Sequence, residues 1–214
     1  MLKLFKKVLV LAPHTDDGEI GCGGTISKLL EKKSEVFYVA FSSAKESLKQ
    51  KGLNENTLIQ EVKVATQSLG IKKKNLIIFD HKLRFFTSLR QEILEDMINL
   101  KNKLKPDLVL MPSLSDIHQD HITIAQEGLR AFKNSTILAY ELIWNNLNFH
   151  NTMFVKLEKK NIKAKWDALK KYKSQKNRSY MNEEFIYSLA RSRGVQIGTK
   201  SVSYTHLRAH ETSP

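Results

Sequence analysis

The chain has a single cysteine, Cys22, and only 4 prolines in 214 residues. One thiol excludes an internal disulfide framework and is the usage expected in a reducing, cytoplasmic compartment. No stretch approaches the roughly 20 consecutive apolar residues that cross a bilayer. Membrane insertion is therefore not expected, although peripheral contact stays open. A secretory leader is not expected either, because Lys6 and Lys7 run straight into an apolar segment that carries the main motif. Acid is in short supply: 35 Lys+Arg stand against 22 Asp+Glu, a formal net charge of +13. Such an excess suits an anionic partner, whether nucleic acid, an acidic membrane or a phosphorylated substrate. Aromatic residues make up 8 % of the chain and do not interleave with the basic runs as a base-stacking groove requires. Nucleic acid is thus not an expected partner, and most of the lysines read as a solvated surface.

What is present is the material of one folded domain. Hydrophobic content of 41 % and charged content of 27 % are ordinary for a globular protein, and no linker divides the chain. Short apolar runs at Val8–Leu11, 35–41, 75–80, 107–111 and 136–140 alternate with segments of helical periodicity at 20–32, 57–69, 89–104 and 122–132. Unalternated apolar runs fit strands covered on both faces. Strand and helix in this rhythm predict an α/β fold: a single Rossmann-like domain with a mainly parallel sheet and helices on both faces. Asn56 or Thr57 is placed to cap the second of these helices and Gly70 to stop it. A short strand at 153–157 and helices at 162–172 and 183–191 follow, while Ser42 onward, with Lys45, Glu46 and Lys49, reads as a polar loop.

The end of the chain stands apart. Ser201–Thr212 resembles the translation, in one frame, of a common transposase sequencing adaptor. The expected organisation is therefore a domain over 1–200, lacking its natural C-terminus, and a foreign adaptor-like tail over 201–214 that is left out of the fold. His206 and His210, although at helical spacing, receive no functional weight.

Two polar clusters fall just after strands. The first, after Leu11, holds His14, Asp16, Asp17 and Glu19, followed by Gly21, Cys22, Gly23 and Gly24. The second, after Met111, holds Asp116, His118, Asp120 and His121. The carboxyl edge of an open α/β sheet is where such folds do their chemistry. His14/Asp17 and His118/His121 are each three residues apart, so each pair can aim two side chains at one point. Together they can offer two or three ligands to a single ion. Two imidazoles, one carboxylate and an open position make the ligand set of catalytic zinc. Other divalent metals such as Fe2+ accept the same donors. Asp16 is available as a base and His118 as a proton donor. Each piece has a plainer explanation: Asp16 and Asp17 as helix caps, the glycines as close packing of helix on strand, and Cys22 as a small buried residue. No G-x-G-x-x-G or Walker pattern is present. The coincidence of two clusters at two strand ends carries the reading.

The residues Ala12–Asp17 with Gly21–Thr25 resemble the opening signature of the PIG-L/LmbE-like N-acetylglucosamine deacetylases, and Asp116–His121 resembles the second signature of that family. Glu61, Leu69-Gly70, Tyr140-Glu141 and Ser174-Gln175 extend the match over roughly residues 5 to 198. The resemblance implies that His14, Asp17 and His121 hold zinc and that Asp16 is the general base. His118 would stabilise the oxyanion or protonate the departing amine, and Asp116 or Asp120 would orient an imidazole. The implied partner is an N-acetylated sugar of the N-acetylglucosamine type, free or linked to a nucleotide, lipid or glycoside. An amidase acting on sugar-thiol conjugates, or a non-catalytic sugar- or nucleotide-binding domain, are the alternative expectations. The chain departs from the pattern at Leu58, where the family often has arginine, and after Gly198, where the family's closing strand is expected.

Overall fold

A computed structural model describes residues 5–50, 52–148, 152–198 and 204–210, the last of these for its backbone only. Seven strands form one sheet: β1 (Lys7–Ala12), β2 (Glu35–Ala40), β3 (Leu76–Ile78), β4 (Leu108–Pro112), β5 (Thr136–Tyr140), β6 (Met153–Lys156) and β7 (Tyr204–His210). Their order is β3-β2-β1-β4-β5-β7-β6. The first five run parallel. β7 pairs antiparallel with both β5 and β6. Among the described residues the α-helices are α1 (Asp17–Glu31), α2 (Lys45–Gln50), α3 (Thr57–Leu69), α4 (Arg90–Leu104), α5 (Gln119–Ala131), α6 (Lys159–Leu169) and α7 (Glu183–Val195).

The central strands are apolar on both sides because both sides are covered. Val8, Val10 and Ala12 of β1 belong to one core cluster, with residues of α1, α3, α6 and α7. Leu9 and Leu11 point the other way, into a second cluster built with α4 and α5. The expected α/β domain with helices on both faces is thus what the chain forms. Gly70, at φ 97°, ends α3 and donates its N–H back to that helix, a left-handed stop that suits glycine.

Three departures from the sequence expectation have local causes. The segment 45–50 is helical, not loop; it buries one residue, Leu48, so a six-residue helix leaves almost no apolar signature. Both helices after the polar clusters begin earlier than their apolar periodicity indicates, α1 at Asp17 and α5 at Gln119. Polar residues fill their first turns, and periodicity cannot register a turn made for a site. The third departure is β7: residues 204–210, set aside as adaptor-like, form a strand between β5 and β6. Strand pairing engages main-chain N–H and C=O groups that any non-proline residue supplies, so it is neutral as to the origin of the stretch. Residues 199–203 and 211–214, including the expected domain limit near 200, lie outside the described residues.

The topology places the site. The chain leaves β1 toward β2 and β3, then returns to lay β4 and β5 on the other side. Between β1 and β4 the direction of winding reverses, and the loops that follow these two strands diverge. A crevice opens at such a switch point, and both polar clusters border it.

Candidate metal centre

His14 lies two residues beyond β1, and Asp17 is the first residue of α1. The backbone N–H of His14 donates to Asp17 Oδ2 at 2.8 Å, which folds the turn so that both side chains face the crevice. From the other side, His118 is the N-cap of α5 and His121 stands in its first turn. The two clusters meet. Asp17 Oδ2 is 3.0 Å from His14 Nδ1 and 3.3 Å from His121 Nε2, and His14 Nδ1 is 3.3 Å from His121 Nε2. Nitrogens of His14, His118 and His121 lie within 4.8 Å of one another.

These three inward atoms fit a divalent cation. A tetrahedral ion with bonds of about 2.0–2.1 Å separates its ligand atoms by about 3.3–3.4 Å. The outward nitrogen of each imidazole is already engaged: His14 Nε2 with Asp120 Oδ2 at 3.0 Å and His121 Nδ1 with Asp116 Oδ2 at 2.8 Å. A carboxylate on the far nitrogen fixes the ring and keeps its proton outward, leaving a lone pair on the inner nitrogen for a metal. Asp116 also accepts the His118 N–H through Oδ1 at 2.8 Å. Both candidate orienting carboxylates therefore touch an imidazole, one each.

The charges at the centre favour a cation. Burial opposes protonation of His121, yet Asp17 and Asp116 outweigh it and push the imidazole up to about 10. His14 is raised by the same contest, with Asp17 and Asp120 prevailing over burial. Burial works against the Asp17 carboxylate, but His121 and His14 hold it well below the usual carboxylate range. Negative charge is in excess here, and it draws a proton or a metal ion equally.

Asp16 and His118 differ from these ligand candidates. Asp16 occupies the N-cap position of α1 but makes no capping hydrogen bond with its side chain, so capping does not account for it. Burial, reinforced by the neighbouring Asp17 charge, pushes its carboxyl up to about 6. His118 uses Nδ1 to accept the Asp120 N–H at 3.2 Å, which leaves its proton on Nε2. Burial, then the nearby His121 and His14 rings, bring its pKa down to about 4. The ring stacks on His121 at 4.5 Å between centroids.

The plainer explanations hold for the neighbours. A Cβ on Gly21 would come within 2.2 Å of the buried Tyr140 ring, so this glycine serves close packing of α1 on β5. Cys22 is fully buried and donates its thiol to Gly18 O at 3.2 Å. Glu19 is buried below the site and contacts the hydroxyls of Tyr38 and Tyr172. It is not among the clustered ligands.

The centre floors a cavity of about 310 Å³, at the small end of ligand pockets. Leu58, the position that departs from the family pattern, lies on its wall, as does Gln175. Glu61 takes the N–H and Oγ of Ser174 at 2.9 and 2.6 Å, a tie that holds the Gln175 segment against α3. Sequence reasoning missed Arg84, Trp144, Asn145, Arg178 and Tyr180, all of which line the cavity. They lie in loops, and no recurring local spacing marks them.

Fold and donor set together give an α/β protein with a cluster of histidines that could hold a metal ion at the switch point of its sheet. The family model for PIG-L, described as GlcNAc-PI de-N-acetylase, matches residues 9–132, and the chain belongs to this family. A diacetylchitobiose deacetylase from Thermococcus kodakarensis is 30 % identical over 150 residues, covering 63 % of this chain and 55 % of that protein. This chain thus spans about half the length of that relative. The uncharacterized deacetylase YaiS of Escherichia coli is 27 % identical over 79 % of this chain and 91 % of its own. Among solved structures, GalB, the 4-carboxy-2-hydroxymuconate hydratase of Pseudomonas putida, superposes with a TM-score of 0.78 at 18 % identity, covering 96 % of each chain. The N,N'-diacetylchitobiose deacetylase of Pyrococcus horikoshii gives 0.76 at 21 %, covering 98 % of this chain and 85 % of that one.

Proposed function

We propose that the chain is a metal-dependent deacetylase of an N-acetylated sugar, cleaving the acetamide with water to give acetate and the free amino sugar. The observation that carries this reading is the meeting of His14 Nδ1, His121 Nε2 and Asp17 Oδ2 within 3.0–3.3 Å of one another beside an uncapped Asp16. Membership in the PIG-L family supports it, as do the relatives that are deacetylases. The fold alone does not choose the reaction, since GalB, a hydratase, shares it.

His14, Asp17 and His121 would hold the ion, zinc or Fe2+ by donor type. Such an ion supplies a Lewis acid and makes water nucleophilic near neutral pH. Asp16, ionised above a pKa of about 6, accepts a proton from the attacking water at its carboxylate oxygen. It then returns that proton to the departing amine nitrogen. His118, neutral and carrying its proton on Nε2, donates a hydrogen bond to the oxygen on which charge develops. The N-cap bond at Nδ1 supports this role over that of proton donor to the amine. A ring that has no second proton to give serves best as a fixed dipole. Asp116 and Asp120 orient His121 and His14.

Metal analysis of the purified chain, combined with acetate release from a panel of N-acetyl sugars, tests the reading. One ion per chain, acetate from at least one sugar and loss of turnover on chelation are expected. Asp16→Asn is expected to retain the ion and lose about 10²–10⁴-fold in rate. Metal without acetate from any sugar would overturn the deacetylase. Acyl release from sugar-thiol conjugates alone would move the chain to the amidase reading, and absence of both metal and turnover to a binding domain.

A further inference from the structure

A buried polar group beneath the site has no part in the hydrolysis described above. Glu19 in the first turn of α1, Tyr38 of β2 and Tyr172, three residues beyond α6, are each at most 1 % exposed. Their oxygens converge. Glu19 Oε2 contacts the Tyr38 hydroxyl, and Oε1 lies 2.9 Å from the Tyr172 hydroxyl. Both hydroxyls also reach one main-chain carbonyl, that of Thr15, at 2.9 Å from Tyr38 and 2.7 Å from Tyr172. A tyrosine hydroxyl has one proton to give, so each is shared between Thr15 O and Glu19. The Tyr38 oxygen in addition accepts the N–H of Gly18 at 3.1 Å. One hydroxyl thus ties the residue before Asp16 to the residue after Asp17.

The chain makes room for this bracket. A Cβ on Gly18 would come within 2.6 Å of the Tyr38 ring, so a glycine straight after the two acids lets the ring pass beneath the turn. Burying a carboxyl and two hydroxyls costs free energy that their hydrogen bonds largely return. Apolar side chains would fill the same space without that cost, so packing alone does not call for the arrangement. What it supplies is a direction. His14 and His121 are aimed by Asp120 and Asp116, and Asp17 by the His14 N–H. Asp16 makes no capping hydrogen bond. Its carboxylate is aimed by the peptide groups that flank it, and the preceding one carries the clamped Thr15 carbonyl.

We propose that Tyr38 and Tyr172, joined through Glu19, are positioning residues: they clamp the Thr15–Gly18 turn and so hold the Asp16 carboxylate where it takes the proton of the attacking water. None of the three lines the cavity, so they act only through the turn above them. Asp17 has its own anchor in the His14 N–H, so loosening the turn falls on Asp16 first. The positioning role rests on the deacetylase reading, in which Asp16 is the base; the clamp itself does not.

Tyr38→Phe and Tyr172→Phe each remove one oxygen and leave the ring in place. In the metal-loaded full chain, on an N-acetyl sugar that the wild type cleaves, each is expected to lower kcat about 10–10²-fold. KM and metal content should hardly change. Added to Asp16→Asn, either substitution is expected to cost no further rate, because the base it acts through is already gone. A purely structural defect costs the same with or without Asp16. Glu19→Gln, whose amide can still meet both hydroxyls, should keep most of kcat, and Glu19→Ala should lose it. Amide exchange followed by NMR needs no turnover: the Gly18 N–H should exchange at least about 10-fold faster in Tyr38→Phe, with the later turns of α1 unchanged. Wild-type kcat in both phenylalanine variants, a loss that persists on Asp16→Asn, a loss that follows the metal, or unchanged Gly18 exchange would each overturn the proposal while the deacetylase reading stands. A wild-type chain that frees acetate from no sugar would overturn that reading and the positioning role with it, and faster Gly18 exchange would then report a clamp that serves the fold alone.

Discussion

His14 Nε2 and Asp120 Oδ2, from the two polar clusters, lie 3.0 Å apart. The same carboxylate accepts the N–H groups of Arg84 at 2.8 Å and Phe86 at 3.3 Å. Burial works against its charge, but the contact with His14 and these two N–H donors hold its pKa below the ordinary value. One fully buried acid therefore orients a proposed metal ligand and fixes the loop that carries Arg84. Asp120→Asn keeps the shape and removes the charge. It is expected to weaken metal affinity about 10–100-fold, read by competition with a chelator. Asp116→Asn, acting on His121, should do the same; unchanged affinity in both variants would remove the orienting role.

The acid limb of the pH profile should belong to Asp16. The base must be ionised, so kcat/KM is expected to rise with pH through an apparent pKa at or below about 6. Asp16→Asn should flatten that limb as well as lower the rate. The linkage sign is opposite for stability. A carboxyl raised above its ordinary value of 3.8 destabilises the fold as pH climbs from about 4 to 6, because the folded state holds the proton longer. Metal-free Asp16→Asn should therefore melt higher than the wild type at pH 7, by on the order of 1 kcal/mol. A lower melting temperature would contradict this.

Lys165 offers a second linkage. Burial brings its pKa down to about 8, and its ammonium donates to Ile20 O. The unfolded chain holds this proton up to about 10.4. Stability is therefore expected to rise with pH between about 8 and 10. Below pH 8 the buried charge is costly. Lys165→Met should stabilise the protein at pH 7 by on the order of 2 kcal/mol and flatten that rise, as read by urea melts at pH 7 and 9.5.

Ending the chain at Gly198 removes β7 and leaves β5 and β6 without the strand between them. A lower melting temperature is expected, since an unpaired edge on β5 exposes its main chain. Metal binding should persist, because the ligands follow β1 and β4, whose pairing is independent of β7. An unchanged melting temperature would mean that β7 adds nothing to the fold.

Much of this molecule can be read from residue types in order. Val8–Leu11 and Leu108–Met111 are apolar without alternation, and a strand with two covered faces is the state that buries them all. Gly70 announces the end of α3 because a left-handed residue is needed there. His14, Asp17, His118 and His121 stand out through their density after two such strands. The helix starts at Asp17 and Gln119 are hidden, because their first turns are polar for the sake of the site, and α2 is hidden because it buries a single side chain.

The sequence by itself determined the alternation of strand and helix, the two-sided core and the chemical types at the crevice, because each depends on neighbours three or four positions away. Tertiary structure alone decided which carboxylate serves which imidazole: Asp120 holds His14 across the crevice, and Asp116 holds the nearby His121. It also decided that Arg84, Arg178 and the Trp144–Tyr180 stack line one cavity. Apart from Asp116 and His121, five residues apart, these are meetings between segments remote in the chain, and no local pattern records them.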